Sequence, residues 1–162
     1  MDYLWSPWRY RYVSSNTSDS PCLFCRLASE SKDKENYVLL RAEQNFVMLN
    51  RYPYTSGHVM IVPYAHVPSL EQADPAALQE MMTLARNMEI ALRGVYRADG
   101  FNLGLNIGKS AGAGVAGHIH LHVLPRWSGD VNFMTSIAET RVLPEELDTT
   151  YERLMRAVHD RE

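Results

Sequence analysis

The sequence predicts an α+β fold: a single domain in which an antiparallel sheet of about five strands carries one long helix and a second helix at the C-terminus. Three observations predict it. Short apolar segments separated by turn residues crowd residues 37–63, an amphipathic run with helical spacing follows Asp74, and a strictly alternating segment surrounds His120.

Taken in order, residues 1–21 read as an irregular N-terminal arm, aromatic at Tyr3, Trp5, Trp8, Tyr10 and Tyr12 and ending in the loop-forming stretch SSNTSDSP. Residues 22–135 read as the core of the domain and 136–162 as a helical extension of it. Tyr37–Leu40 and Phe46–Leu49 suit a hairpin across Ala42–Asn45, and GHVMIVP from Gly57 to Pro63 supplies a third strand of a meander. Asp74 can cap a helix that starts with Pro75, and Leu78, Met81, Met82, Ala85, Met88, Leu92 and Val95 then share one side. The sheet resumes from Phe101 to Ile107, crosses the glycine-rich GKSAGAGVAG and enters a strand from about His118 to Arg126. A last helix starts near Pro144 and runs to the C-terminus, packing through Leu147, Tyr151, Leu154, Met155 and Val158.

With 162 residues, 46% of them hydrophobic, the chain can bury one sizeable core but not two. Its formal charge of −3 advertises no basic field, so neither nucleic acid nor an acidic membrane is an expected partner, and an anionic substrate must be held by local groups. No apolar run approaches the roughly 20 residues of a membrane span, and the N-terminus lacks the apolar core of a signal peptide; a cytoplasmic location is expected.

The chemistry concentrates in GHIHLHVLPRW, residues 117–127, which holds three of the six histidines at every second position. In a strand His118, His120 and His122 project from one face at intervals of about 7 Å while Ile119, Leu121 and Val123 enter the core from the other. A one-residue slip would bury the imidazoles and expose the aliphatics, so the histidine face is expected to be accessible. Upstream, Gly104, Gly108, Gly112, Gly114 and Gly117 allow backbone amides to approach and cradle phosphate oxygens. Phosphate beside an imidazole row points to nucleophilic chemistry at phosphorus. Cys22 and Cys25, the only cysteines, are spaced as half of a metal site or as a redox dithiol.

These residues resemble the histidine triad family, whose signature is His-x-His-x-His followed by two apolar residues. The resemblance extends to FVMLNRYP from Phe46 and GHVMIVP from Gly57, similar to the ribose-binding strand and turn of the branch that includes the fragile histidine triad dinucleoside polyphosphate hydrolases. LPR at 124–126, Trp127, Gly129–Asp130, Asn132–Met134 and the LWSPWR arm look like bacterial diadenosine tetraphosphate phosphorylases or hydrolases. The resemblance covers roughly residues 20–135. It implies a nucleotidyl hydrolase or transferase acting on dinucleoside polyphosphates, with His120 as the nucleophile that holds the nucleotidyl group, and with water or phosphate as acceptor. A neutral imidazole is an effective nucleophile near pH 7, and His122 would donate to a phosphate oxygen where charge accumulates.

The same resemblance implies that Asn50 holds ribose hydroxyls, that Asn106 and the glycine loop at Gly112 and Gly114 contact phosphate, and that His58, Arg126 and Trp127 lie at the nucleotide. Turn capping is the alternative for either asparagine. Where relatives carry Gln-Ser or Gln-Thr before the first histidine, this chain has AGVAG at 113–117, which leaves Lys109, Ser110 or backbone amides to stabilise the leaving phosphate. Zinc-containing members, and the related galactose-1-phosphate uridylyltransferases, imply a structural zinc on Cys22, Cys25, His66 and His118, with His58 as rival ligand; a divalent cation can accompany the substrate. His159 is expected in solvent. Family members pair as homodimers through the helix and an adjoining strand, and the arm docks on its own or the partner subunit. Rival functions are phosphoramidase or adenylylsulfate cleavage with the same histidines, and slow-turnover nucleotide sensing.

Overall fold

The computed structural model describes residues 21–131 and 143–159. The N-terminal arm and the Asn132–Met134 segment lie outside the described residues. Helix α1 (Leu23–Ser29) precedes strands β1 (Val38–Arg41), β2 (Asn45–Leu49) and β3 (Val59–Pro63); helix α2 (Pro75–Tyr96), strands β4 (Gly100–Gly104) and β5 (Leu121–Arg126) and helix α3 (Leu147–His159) follow. The five strands form one sheet in the order β1-β2-β3-β5-β4, and every neighbouring pair is antiparallel. The meander of the first three strands is as expected. The chain then crosses to the far edge through α2 and returns, so that β5 fills the place between β3 and β4.

Both faces of the central strands are buried. On one, Val47, Leu49, Val59, Ile61, Leu121 and Val123 pack against Met81, Leu84, Ala85, Met88 and Leu92 of α2 and against Tyr151, Leu154 and Val158 of α3. On the other, Phe46, Met48, Met60 and Val62 pack against Phe24 and Leu27 of α1. This double burial explains why FVML and VMIVP read as continuous apolar runs rather than alternating ones.

Asp74 caps α2, its carboxylate accepting the Ala76 amide at 2.8 Å, and Arg97 ends the helix in the left-handed conformation at φ 51°. The buried stripe runs through Ala77, Met81, Leu84, Ala85, Met88, Ala91 and Leu92. Met82, expected on it, is 57% exposed, because it sits about 100° around the helix from Met81 and its neighbours at i+3 and i+4 within the stripe claim the core. Glu80 binds the turn between β1 and β2, accepting the amides of Glu43 and Gln44 and the Asn45 side chain; burial opposes its charge, but these bonds prevail and hold its carboxyl below the usual range.

Three further expectations are corrected. Helix α1 begins inside the cysteine motif, where no helix is expected from the sequence: seven residues are too few to announce themselves by periodicity, and their helix rests on tertiary contacts. Strand β4 ends at Gly104, not Ile107, and β5 begins at Leu121, so His118–His120 run into the sheet ahead of its ladder; the Ile119 amide donates instead to the Val67 carbonyl at 2.9 Å. Helix α3 starts at Leu147 rather than Pro144, after Glu145 has accepted hydrogen bonds from Tyr96, Thr150 and Arg153. Its predicted packing face stands.

Gly57, in the turn before β3, has φ +76°, and a Cβ there would lie 2.9 Å from Leu92 Cδ2 and 3.1 Å from the Tyr96 ring. Gly57→Ala therefore combines left-handed strain with overpacking, and it should lower unfolding stability by about 2–5 kcal/mol. A urea titration checks this; an unchanged midpoint would refute the close packing of this turn on α2.

Candidate active site and metal centre

The alternation that the sequence displays is real, but the histidine face is not open. His118, His120 and His122 are 0%, 6% and 7% exposed, because the α1 face of the sheet is covered as thoroughly as the α2 face. Phe24 packs its ring 5.4 Å from that of His118 and 4.9 Å from that of His120. His122 is T-shaped to His120 at 4.9 Å, and Tyr54 and His58 lie over His122 at 6.0 and 5.0 Å.

Burial depresses the basicity of His118 and His120 below that of a free imidazole, and the carbonyl each ring binds offsets this only in part. A neutral imidazole carries one proton, and the main chain dictates where each ring keeps it. His120 Nδ1 is 2.9 Å from the His118 carbonyl, which can only accept; the proton is therefore on Nδ1, and Nε2 keeps its lone pair. His58 Nδ1 faces the Tyr54 amide at 3.1 Å, which can only donate. The His58 proton is thus on Nε2, which donates to His122 Nδ1 at 2.8 Å, and His122 in turn carries its proton on Nε2. One histidine offers a lone pair and its neighbour a proton.

His118 is arranged for a different task. Its Nε2 donates to the Pro63 carbonyl at 2.8 Å, so Nδ1 presents a lone pair to Cys22 Sγ at 3.4 Å and Cys25 Sγ at 3.6 Å. His66 Nδ1 lies 3.2 Å from Cys25 Sγ, and all four ligand atoms fall within 4.8 Å of one another. In a tetrahedron with metal–sulfur and metal–nitrogen bonds of about 2.3 and 2.0 Å, adjacent ligands sit about 3.5 Å apart. The donor set, the spacing and the backbone bond that fixes the His118 tautomer all fit a metal ion. Burial, then the neighbouring Cys22 thiol, raises Cys25 above the usual thiol range, so metal would have to displace a proton there. His58, the rival ligand, is not in this group.

The remaining expected residues divide. Asn50 adjoins the histidines, with Nδ2 3.4 Å from His58 Nδ1, while its Oδ1 accepts the Tyr52 amide at 2.9 Å and so also caps the turn. Asn106 is half-buried after β4, and Gly112 closes the 3-10 turn Lys109–Ala111 at φ 87°. Gly114 lies half-buried two residues further on. Arg126 and Trp127, at the far end of β5, are engaged within the chain: the Arg126 guanidinium binds Asp130 and Asn102, and Trp127 Nε1 donates to the Tyr96 carbonyl at 3.0 Å. His159 is exposed at the end of α3. The sequence reading missed Phe24 and Tyr54. The position of Phe24 inside the cysteine motif was the available signal; for the Tyr54 amide there was none.

Residues 31–129 match the HIT domain family. The chain belongs to this family. An AP-4-A phosphorylase of Mycobacterium tuberculosis is 38% identical over 154 residues, 91% of this HIT protein and 79% of the relative. An asymmetrical bis(5'-nucleosyl)-tetraphosphatase of Schizosaccharomyces pombe is 31% identical over 57% of this chain and 50% of its own. Among solved structures, a zinc-bound histidine triad protein from Mycobacterium smegmatis superposes with a TM-score of 0.69 at 29% identity, covering 86% of this chain and 94% of that one.

The purified protein should bind one Co²⁺ with the charge-transfer absorption of thiolate ligation, and Cys25→Ser should weaken binding at least about tenfold, the loss that disturbing a ligand's support alone can produce. Competition with a chromophoric chelator measures it; equal affinities would remove Cys25 from the ligand set.

Proposed function

We propose that this HIT protein cleaves dinucleoside polyphosphates such as diadenosine tetraphosphate, with a nucleotidyl group passing through His120 to inorganic phosphate. The observation that supports the reading is the Nδ1 bond of His120 to the His118 carbonyl, which leaves an unprotonated Nε2 in a buried site, ready to serve as nucleophile. Its attack on the α-phosphorus forms a P–N bond and breaks the bond to the bridging oxygen. From diadenosine tetraphosphate the leaving half is ATP. Phosphate then attacks the same phosphorus, giving ADP and restoring the imidazole. In this reading His122, its Nδ1 held by His58, donates its Nε2 proton to a non-bridging oxygen in both steps. The 38% identity to a phosphorylase, over 91% of the chain, favours phosphate over water as acceptor.

In this reading Asn50 holds the ribose, and Asn106 with the backbone of Gly112 and Gly114 meets the phosphates. Lys109 or Ser110 stands in for the side-chain donors absent from the loop, and a divalent ion accompanies the polyphosphate. For Arg126 and Trp127 to touch substrate, they must exchange their present partners for it. Zinc is the metal assigned to Cys22, Cys25, His66 and His118, where four protein ligands make the site structural. Free thiols in that role suit a reducing compartment such as the cytoplasm. Among the described residues no helix is long and apolar enough to cross a membrane.

Mixing the zinc-bound protein with diadenosine tetraphosphate should give a nucleotidylated adduct, and added phosphate should yield ATP and ADP. His120→Ala should abolish the adduct and His58→Ala should slow its formation about 10²–10⁴-fold, the contribution of one positioned proton donor. Products that stay ATP and AMP with phosphate present would replace phosphorolysis by hydrolysis; absence of any adduct would defeat the nucleophile assignment.

A second copy of the chain is proposed against β4, which ends the sheet and presents exposed Asn102, Leu103 and Gly104, with Ile107 exposed beyond it. Sedimentation should find a dimer that Leu103→Lys converts to monomers; a wild-type monomer would exclude the pairing.

A further inference from the structure

We infer that Phe24 is a positioning residue that couples metal occupancy of the Cys22, Cys25, His66 and His118 cluster to the orientation of His120. The inference rests on the reading of His120 as the attacking group. Among the described residues three contacts hold the His120 ring: the Phe24 ring at 4.9 Å, the His122 ring at 4.9 Å, and the His118 carbonyl on Nδ1. One of these three comes from a residue of the metal cluster and another from the residue between its cysteines. His118 contributes its ring to the cluster and its carbonyl to His120, and Phe24 lies in the chain between the two cysteines.

Helix α1 explains why the coupling has a direction. At its C-terminal end, the Arg41 guanidinium accounts for the carbonyls of Leu27, Ala28 and Glu30 at 2.7–3.1 Å, with Asp33 holding the arginine in turn. At its N-terminal end, Cys22 occupies the capping position without a side-chain cap, no acidic residue stands in the first turn, and the thiol is directed instead at His118. Seven residues do not hold a helix by themselves. The end that carries Phe24 is therefore fixed by the burial of that ring and by whatever the two thiols bind, while the other end stays anchored. Emptying the cluster removes the ligand bonds of Cys22, Cys25 and the His118 ring together, leaving that ring its bond to the Pro63 carbonyl. Phe24 is then held only by its packing on the sheet, and two of the contacts on His120 loosen together.

The readouts are the tautomer of His120, from ¹⁵N chemical shifts of the histidine-labelled full chain, and the single-turnover rate of adduct formation with diadenosine tetraphosphate. With zinc bound, His120 should be a single Nδ1–H tautomer. Removing zinc by chelation, or introducing Phe24→Ala, should each give a mixture of tautomers and slow adduct formation by about 10–100-fold, the scale of a misplaced reacting group. Phe24→Leu, which keeps the core filled and the helix docked, should fall between. The decisive result is the double cycle: chelation should cost the Phe24→Ala protein little beyond what the substitution has cost already. Independent, multiplying effects would overturn the coupling. So would a Phe24→Ala protein with raised KM, unchanged kcat and an unaltered tautomer, which would make Phe24 a wall of the substrate pocket. A wild-type protein that forms no adduct but whose His120 tautomer still follows zinc would refute the proposed reaction and leave the coupling standing.

Discussion

The carbonyl of His118 accepts the Nδ1 proton of His120, and the rest of the site depends on that bond. A buried ring cannot borrow a proton from bulk water at will, so the atom it faces decides whether it acts as donor or acceptor. Here the facing atoms are mostly main chain: the His118 and Pro63 carbonyls and the Tyr54 amide. Main-chain atoms have fixed hydrogen-bonding roles and positions set by the sheet. The fold thereby gives three chemically identical side chains different partners, and under the proposed reaction these sort them into a ligand, a nucleophile and a proton donor.

That sorting requires a sheet buried on both faces. The α2 face pins the register through Leu121 and Val123, and the α1 face supplies the dry surroundings in which a tautomer is worth fixing. If solvent covered the histidine face, each ring would exchange its proton freely, and the preference imposed by one hydrogen bond would shrink to the roughly 1 kcal/mol such a bond contributes in water. The small helix α1 is thus as much a part of the chemistry as the histidine segment it covers.

Much of this was legible in the chain. Asp74-Pro75 with its stripe of methionines and leucines announced the long helix, and the i, i+2 histidines against Leu121 and Val123 announced the register of β5. The four residues Cys22, Cys25, His66 and His118 do converge, although they are spread over 97 positions of sequence from 22 to 118. What stayed hidden was non-local. Nothing within the histidine segment says that Phe24, nearly a hundred residues away, will close over it, and no side-chain pattern reports that a backbone amide at Tyr54 will choose the proton of His58. Met82 misled because an apolar residue at the border of a helical stripe looks the same whether or not the sheet reaches it.

The place of β5 in the sheet has a consequence for how the molecule comes into being. Its partner β3 precedes it by some sixty residues, and its other partner, β4, is left at an edge until it arrives. The β1-β2-β3 meander and α2 can form from near neighbours in the chain, but the seam between β3 and β4 closes only when the histidine segment threads into it. Until then two strand edges stand open, and none of the tautomers described above has its partner atom in place. The reactive assembly and the completed sheet are one event, so a partly folded chain has no half-built version of the site with which to act.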